Sequence, residues 1–521
     1  MKERFYITTA IDYVNGEPHL GHAYEKIITD VLARAHRSLG HDVYFLTGLD
    51  EHGQKVQQAA QAAGKSPQEY CDELAQIWKA FAARLNLTNN AFIRTSDAPH
   101  KAVVSAILAK LHGEGQFYQE AYEGYYSAKE ETFLTDKDRE DDGQFDPKYG
   151  EVVQLKESNW YFRLKAHQQW LIDHIEANPD FVYPAFRRNE VLGLLKNNPL
   201  EDLCCTRPIE RLSWGIPLPF DKDYVTYVWF DALTNYVSQT VINGDRRVIE
   251  TLGLEGFQIS DTLEQWPAAA HVIGKDILKF HAVYWPIMLK AMGLPLPKQV
   301  LAHGFWQKDN QKISKSTGNI VDPIEVIDEW GVDAFRYYVT RELELGPDGN
   351  WTDDGFSARY QAELANGLGN LVNRSLSMLN RYREGIVPPP HDELAEEAKA
   401  VVASTLQNYQ SNKIQGALLE IWKLVTRANQ YVDQTAPFKL AKDPEASQRL
   451  DEVLYNLVET SRILAILLWP VIPETAEKIF QQLNLSDPPD RFEKAAWGQL
   501  INGHKTNKPA PLFPRKDLAK K

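Results

Sequence analysis

Hydrophobic and polar positions divide the chain into three kinds of pattern. The run Arg4 to Thr9 is β-rich and ends in a short polar loop. After His22 the spacing turns helical, with Ala23, Ile27, Ile28, Val31, Leu32 and Ala35 on one face. Glu25, Asp30, Arg34 and Arg37 are expected to face out. Gly40 ends that helix, and Val43 to Thr47 predicts the next strand. Strand, helix, strand in this order is a βαβ unit, and therefore a parallel sheet.

From about residue 54 to 112 the pattern is helical, with Trp78, Phe81, Leu85 and Leu87 as core. The tract from Gly113 to Asp221 differs. It carries Phe117-Tyr118, Tyr122 to Tyr126, an acidic run Asp136 to Asp142 that reads as a solvated loop, and Trp160 to Leu164. Strand signals resume at Tyr224 to Phe230, His271 to Ile273 and Val300-Leu301, so this tract is expected to be an insertion into the α/β unit. One helix is then predicted from Pro323 to Tyr337-Tyr338. From Phe356 onward a bundle follows: Phe356, Tyr360, Leu364 and Leu368 step by four, a second helix carries Ala417 to Val432, and a third runs from Leu450 to Trp469.

Composition narrows the function. Of 521 residues, 43% are hydrophobic and 25% charged, as in ordinary globular proteins. A net charge of -14 excludes a global basic footprint for nucleic acid, while leaving room for a local RNA surface. Cys71, Cys204 and Cys205 do not make a disulfide framework, so the context reads as reducing. No leader is visible at the start, and the densest apolar patch, Ile463 to Trp469, is too short to span a membrane. A cytoplasmic protein with no membrane partner is expected.

The candidate chemistry sits at strand ends. His19-Leu20-Gly21-His22 opens the first helix, where unpaired amide groups favour phosphate. Asp50-Glu51-His52-Gly53 follows the second strand, and open parallel sheets bind ligands beyond the carboxyl ends of their strands. Much later comes Lys312-Ile313-Ser314-Lys315-Ser316, a polar loop with two cations. Alone, the histidines could merely cap a helix and the lysines could sit on a surface turn.

Together, in this order around a split sheet and ahead of a bundle, the two motifs resemble the paired signatures of class I aminoacyl-tRNA synthetases. Gly48 to Gly53, Tyr227 to Tyr236 and Ile273 to Ile277 are similar to methionyl-tRNA synthetases in particular. The resemblance implies a split Rossmann-like parallel-sheet catalytic domain (1–112 and 223–308) with a connective insertion (113–222). A lysine-loop and stem-contact region (309–355) and an all-α anticodon-binding bundle with tail (356–521) complete it. It also implies an enzyme that joins methionine to its tRNA through methionyl-adenylate. The rivals are a class I synthetase for another amino acid and a non-catalytic tRNA-binding paralogue.

Residue by residue, the resemblance implies catalytic roles for His19, His22, Lys312 and Lys315. ATP, as its Mg2+ complex, would be held by these residues with Gly21, Gly274, Asp276 and Ser314. Asp50 matches the carboxylate that holds the substrate ammonium, with Arg207 as a candidate ion partner. The methionine pocket would comprise Ile11, Tyr13, Trp229, Ala232, Leu233, Tyr236, Ile277, His281 and Trp285, with Tyr13 and His281 offering the sulfur a weak polar contact. Asn370 and Arg374, sharing a helix face with Asn366 and Asn373, match an anticodon-reading pair, and Phe438 stands where the family has a base-stacking tryptophan. Initiator and elongator methionine tRNAs are the expected partners of a monomer. Where many relatives carry a zinc knuckle, this chain has Ser127, Glu130, Asp146 and Tyr149, so no structural zinc and no metal ligand is expected.

Overall fold

A computed structural model describes residues 2–14, 16–127, 132–134, 136–140, 142–254, 256–260, 263–312 and 319–516. Strand β1 (Arg4–Tyr13) leads through α1 (Leu20–Ser38) to β2 (Asp42–Asp50). Helices α2 (Gln54–Ala62) and α3 (Pro67–Arg84) precede β3 (Ala91–Arg94), and α4 (Ala98–Gly113) follows it. Next come β4 (Phe117–Ser127), β5 (Thr132–Leu134) and β6 (Val152–Phe162), then α5 (Gln168–Ala177), β7 (Val182–Tyr183), α6 (Ala185–Asn197) and β8 (Leu203–Cys204). A hairpin of β9 (Thr206–Pro208) and β10 (Tyr224–Thr226) leads to α7 (Val228–Ile242) and α8 (Arg246–Leu252). Strand β11 (Ala270–Gly274), helix α9 (Trp285–Met292) and strand β12 (Val300–His303) close the α/β part.

Six strands form one parallel sheet in the order β3-β2-β1-β11-β12-β7. Its centre pairs Ile7 with Ala270 and Thr9 with Val272, so the two halves of the chain meet there as neighbours. The inserted antiparallel sheet has the order β5-β4-β6-β8. Strand β7 lies inside the tract expected to be inserted, yet Val182 pairs with Val300 as the last strand of the large sheet. Leu171, Ile175, Val191 and Leu195 around it join the same core as Tyr6 and Val104. A two-residue strand is too short to show a periodicity of its own.

The chain continues through β13 (Trp306–Lys308) and β14 (Gln311–Lys312) to α10 (Pro323–Trp330) and α11 (Val332–Glu342). The single helix expected here is broken at Gly331, whose φ of +89° suits glycine and penalises a side chain. Strand β15 (Gly349–Trp351) pairs with β13. Helix α12 (Asp353–Arg359) then runs through a π-helical stretch (Tyr360–Gly369) into α13 (Asn370–Arg383). The bundle is completed by α14 (Ala395–Gln410), α15 (Ile414–Thr435), α16 (Pro437–Leu440), α17 (Ser447–Leu468) and α18 (Pro473–Gln482). The hydrophobic pattern missed α14 because its buried positions Ala398, Val401, Thr405 and Tyr409 make a weak apolar stripe. It missed α18 because Pro473, which reads as a breaker, occupies a helix start.

Helix α1 departs furthest from expectation. Glu25, Asp30 and Arg34 are buried, Glu25 against His303 at the end of β12 and the other two where α11, α14 and α15 pack on α1. Burial of these charges is matched by partners. Asp30 accepts from Arg34 Nε at 2.8 Å, from Thr88 at 2.6 Å and from Arg336 at 2.7 Å. Among the described residues no helix is long and apolar enough to cross a membrane.

Candidate active site

Where β1 and β11 end side by side, the sheet opens into a cleft of about 1880 Å³. Its walls come from the end of β1, the start of α1, Asp50 at the end of β2, α7, residues 274–284 and His303. That is the crevice in which parallel sheets bind their ligands.

His19 caps α1. The Gly21 amide donates to His19 Nδ1 at 3.1 Å, the His19 amide donates to His22 Nδ1 at 3.2 Å, and the two rings stack with centroids 3.7 Å apart. Because each Nδ1 accepts a backbone proton, each ring's own proton sits on Nε2. A Cβ on Gly21 would meet His19 Cε1 at 3.0 Å, so this glycine lets the first ring fold back over the helix end. Behind the rings, the buried Lys26 ammonium is paired with Asp12, whose carboxylate is 3.9 Å from His22 Nε2. Burial pushes the Asp12 carboxyl up to about 7, with Lys26 opposing the rise. Neither Asp12 nor Lys26 was anticipated; a charged residue inside Ala10-Ile11-Asp12-Tyr13-Val14 was the available signal.

Gly274 and Asp276 lie across the cleft. A Cβ on Gly274 would come within 2.5 Å of Asp276 Oδ1, so the turn that presents this carboxylate requires glycine. Burial raises the pKa of Asp276. His303 and Glu25 join the same wall through a 3.2 Å contact, and both were missed because Glu25 was expected to point outward.

Ile11, Tyr13, Asp50, Trp229, Ala232, Leu233, Tyr236, Ile277 and His281 all line this cleft, together with Arg207. Asp50 pairs in register with Tyr13. Gly53, with φ +112°, has the Tyr13 hydroxyl 2.8 Å from where its Cβ would be. Trp285 is different: it is fully buried behind the cleft, donating from Nε1 to His271 at 3.2 Å and packing edge-on against Tyr236. In this structure it lies behind Tyr236 and is not among the residues that line the cleft. His281 has protein partners at both ring nitrogens. Its Nδ1 donates to the Ile277 carbonyl at 3.0 Å, and its Nε2 accepts from the Tyr236 hydroxyl at 2.7 Å. Burial holds its pKa near 4. Both nitrogens are thus engaged, and a ligand meets the ring rather than an N–H. Trp229 stacks on Phe280 at 3.6 Å, a partner the pattern did not single out.

A family model described as "tRNA synthetases class I (M)" matches residues 5–142 and 148–376, and one described as "Anticodon binding domain of methionyl tRNA ligase" matches residues 384–518. The chain belongs to the methionyl-tRNA synthetases. It is 40% identical to the methionine–tRNA ligase of Caldanaerobacter subterraneus subsp. tengcongensis over 526 residues, covering 100% of this chain and 80% of that one. The Bacillus subtilis ligase is likewise 40% identical over 536 residues, covering 98% of this chain and 78% of the relative. The Mycobacterium tuberculosis methionyl-tRNA synthetase in complex with methionyl-adenylate superposes with a TM-score of 0.88 at 37% identity, covering 98% of this chain and 100% of that one. Its apo form gives 0.84 at 35% identity, with 99% of each chain covered.

The second signature of this methionyl-tRNA synthetase chain starts at Lys312, which ends β14 opposite Gln307. Ser314 and Lys315 lie outside the described residues. After the loop, Ile320 to Pro323 line the cleft wall. In the bundle, Asn370 and Arg374 begin α13, and Arg374 Nη2 reaches Asp433 near the end of α15 at 3.4 Å. Ala436, with φ +41°, turns the chain into α16, where Phe438 is 45% exposed. In the inserted sheet, the Ser127 hydroxyl donates to the Tyr149 carbonyl at 2.6 Å and Asp146 accepts from the Lys148 amide at 2.8 Å, while Glu130 lies outside the described residues. Among the described residues no group of three or more His, Cys, Asp or Glu side chains is arranged to hold a metal ion.

Proposed function

We propose that this cleft forms methionyl-adenylate from methionine and ATP, and that the chain then transfers the methionyl group to the 3' end of methionine tRNA, initiator and elongator alike. The observation that carries the reading is a pair of Nε2–H donors at a helix N-terminus, opening onto the same cleft as an apolar recess. In the first step a methionine carboxylate oxygen attacks the α-phosphorus of ATP, supplied as its magnesium complex. The α–β bridging bond breaks and pyrophosphate leaves. His19 and His22 donate to phosphate oxygens as charge redistributes, reinforced by the α1 dipole. Lys312 and Lys315, with Ser314, close over the β- and γ-phosphates and offset the charge of the leaving group. Gly274 and Asp276 hold the ribose, the glycine by close approach and the carboxylate by accepting from hydroxyls.

Asp50 takes the methionine ammonium. Ala232, Leu233, Tyr236, Ile277 and the ring of His281 surround the thioether, which is selected by shape, dispersion and sulfur–aromatic contact. In the second step a terminal ribose hydroxyl of the tRNA attacks the methionyl carbonyl carbon and AMP leaves. Asn370, Arg374 and Phe438 read the anticodon. Pyrophosphate exchange measured with each amino acid in turn tests this: exchange peaks with methionine, and a maximum with any other amino acid overturns the reading.

A further inference from the structure

A second polar cluster lies behind the methionine recess, and no step above uses it. Asp231, on the first turn of α7, is fully buried. Its Oδ2 accepts from His52 Nδ1 at 2.6 Å and its Oδ1 accepts from His100 Nε2 at 2.7 Å. The far nitrogen of His100 is 2.6 Å from the Ser238 hydroxyl, two turns further along α7. His52, His100 and Ser238 are buried as well. One carboxylate thus bridges three elements: the turn after β2, helix α4 and helix α7.

Two of the elements it joins, the turn after β2 and helix α7, are walls of the recess. His52 is two residues beyond Asp50, on a turn whose other contacts converge on the same place. The Gly53 amide donates to the Trp214 carbonyl at 3.2 Å, the Val14 amide donates to the Asp50 carbonyl at 3.1 Å, and Gly53 approaches the Tyr13 hydroxyl closely. Asp231 is flanked on α7 by Trp229, Ala232, Leu233 and Tyr236. A buried carboxylate carries a large desolvation cost unless donors meet it, and here two ring N–H groups and the N-terminal end of α7 do so. Simple packing could be met by apolar residues at less cost. The two-sided grip instead sets the distance between the carboxylate at Asp50 and the thioether recess.

We propose that Asp231 is a positioning residue for the amino group of methionine, fixing the turn that carries Asp50 against the helix that carries the side-chain recess. This rests on the reading of Asp50 as the ammonium partner. A side chain that only filled space would affect every ligand of the recess alike. A residue that aims Asp50 affects only ligands that carry an ammonium.

The test compares L-methionine with its deamino analogue, the methylthiobutanoate that keeps the thioether and the carboxylate. Asp231→Asn keeps the volume and removes one of the two acceptors. It is expected to raise KM for methionine in pyrophosphate exchange by about tenfold, the scale on which misplaced positioning groups are felt, with KM for ATP and the inhibition constant of the deamino analogue each within about twofold. Should Asp231→Asn fail to fold, Ser238→Ala loosens the far end of the same ladder and is expected to shift methionine alone by about threefold. Equal weakening of both ligands, or of neither, by the variant that folds overturns the proposal. Asp50→Asn separates the underlying reading: if it too fails to discriminate the two ligands, the ammonium role of Asp50 falls. If it discriminates and the Asp231 variant does not, only the positioning role falls.

Discussion

Lys26 is a fully buried ammonium whose ion partner, Asp12, stands one layer beneath the signature histidines. Burial outweighs Lys26, so the folded-state Asp12 carboxyl titrates near 7, above its usual range. The sign follows directly: the stability contributed by the protonated form is full below about pH 4 and is lost as pH rises through 7. Lys26→Met removes the opposing cation while keeping the volume. At pH 5 the carboxyl is protonated with or without Lys26, and the variant loses little. At pH 8 an uncompensated charge is left buried, with an expected loss of about 3–5 kcal/mol. Urea midpoints at the two pH values check this, and an equal loss at both refutes it.

The same scale explains what could be read in the residues alone. His19, His22, Asp50, Gly274 and Asp276 stand in motifs, where neighbours in sequence declare one another. Glu25 and His303 are 278 residues apart, and His52 and Asp231 are 179 apart, so their pairing exists only once the sheet has assembled. Trp285 shows the converse: an aromatic beside a pocket segment looks like a wall until packing turns it into the core.

Among elements, the parallel sheet, the insertion and the bundle were legible because their periods change abruptly. The polar face of α1 was not, because a charge pattern facing solvent and one facing a partner helix are the same pattern. The turn from α15 into α16 makes a more local point. Ala436 adopts a left-handed conformation, and the next aromatic, Phe438, is left half in solvent. An exposed ring contributes little to stability, so Phe438→Ala is expected to change unfolding by less than about 0.5 kcal/mol. If the ring stacks on an anticodon base, the same variant lowers tRNA charging by roughly 5- to 150-fold, corresponding to about 1–3 kcal/mol. Methionyl-adenylate formation stays unchanged. Arg374→Ala, on α13, should show the same split, and equal losses in charging and activation would remove the anticodon role from both.

At the scale of the whole molecule, Arg336 is an electrostatic joint between the two halves. It is completely buried, and it donates to Asp30 of α1 at 2.7 Å, to the Leu85 carbonyl at 3.0 Å, and to the carbonyls of Pro470 and Val471 at 3.0 and 2.9 Å. It thereby ties the α/β half to the end of α17. Burial and the two arginines act oppositely on Asp30, and Arg34 with Arg336 prevails, holding its pKa near 2. Arg336→Leu leaves these acceptors without their donor, at a cost of about 3–5 kcal/mol. The expected result is a calorimetric transition that splits in two, with the bundle melting apart from the sheet. A single transition displaced to lower temperature would show that apolar packing alone couples them.

The adjacency of β1 and β11 also bears on how the protein is made. Ile7 and Ala270 are neighbours in the finished sheet, so the inner edge of β1 has no partner until the ribosome has added more than 250 further residues. At common elongation rates that interval is on the order of tens of seconds. Throughout it the strand that bears one wall of the cleft presents an open, apolar edge of the kind that recruits foreign strands. The central pairing that brings both halves of the cleft together is therefore also the last step in protecting that edge.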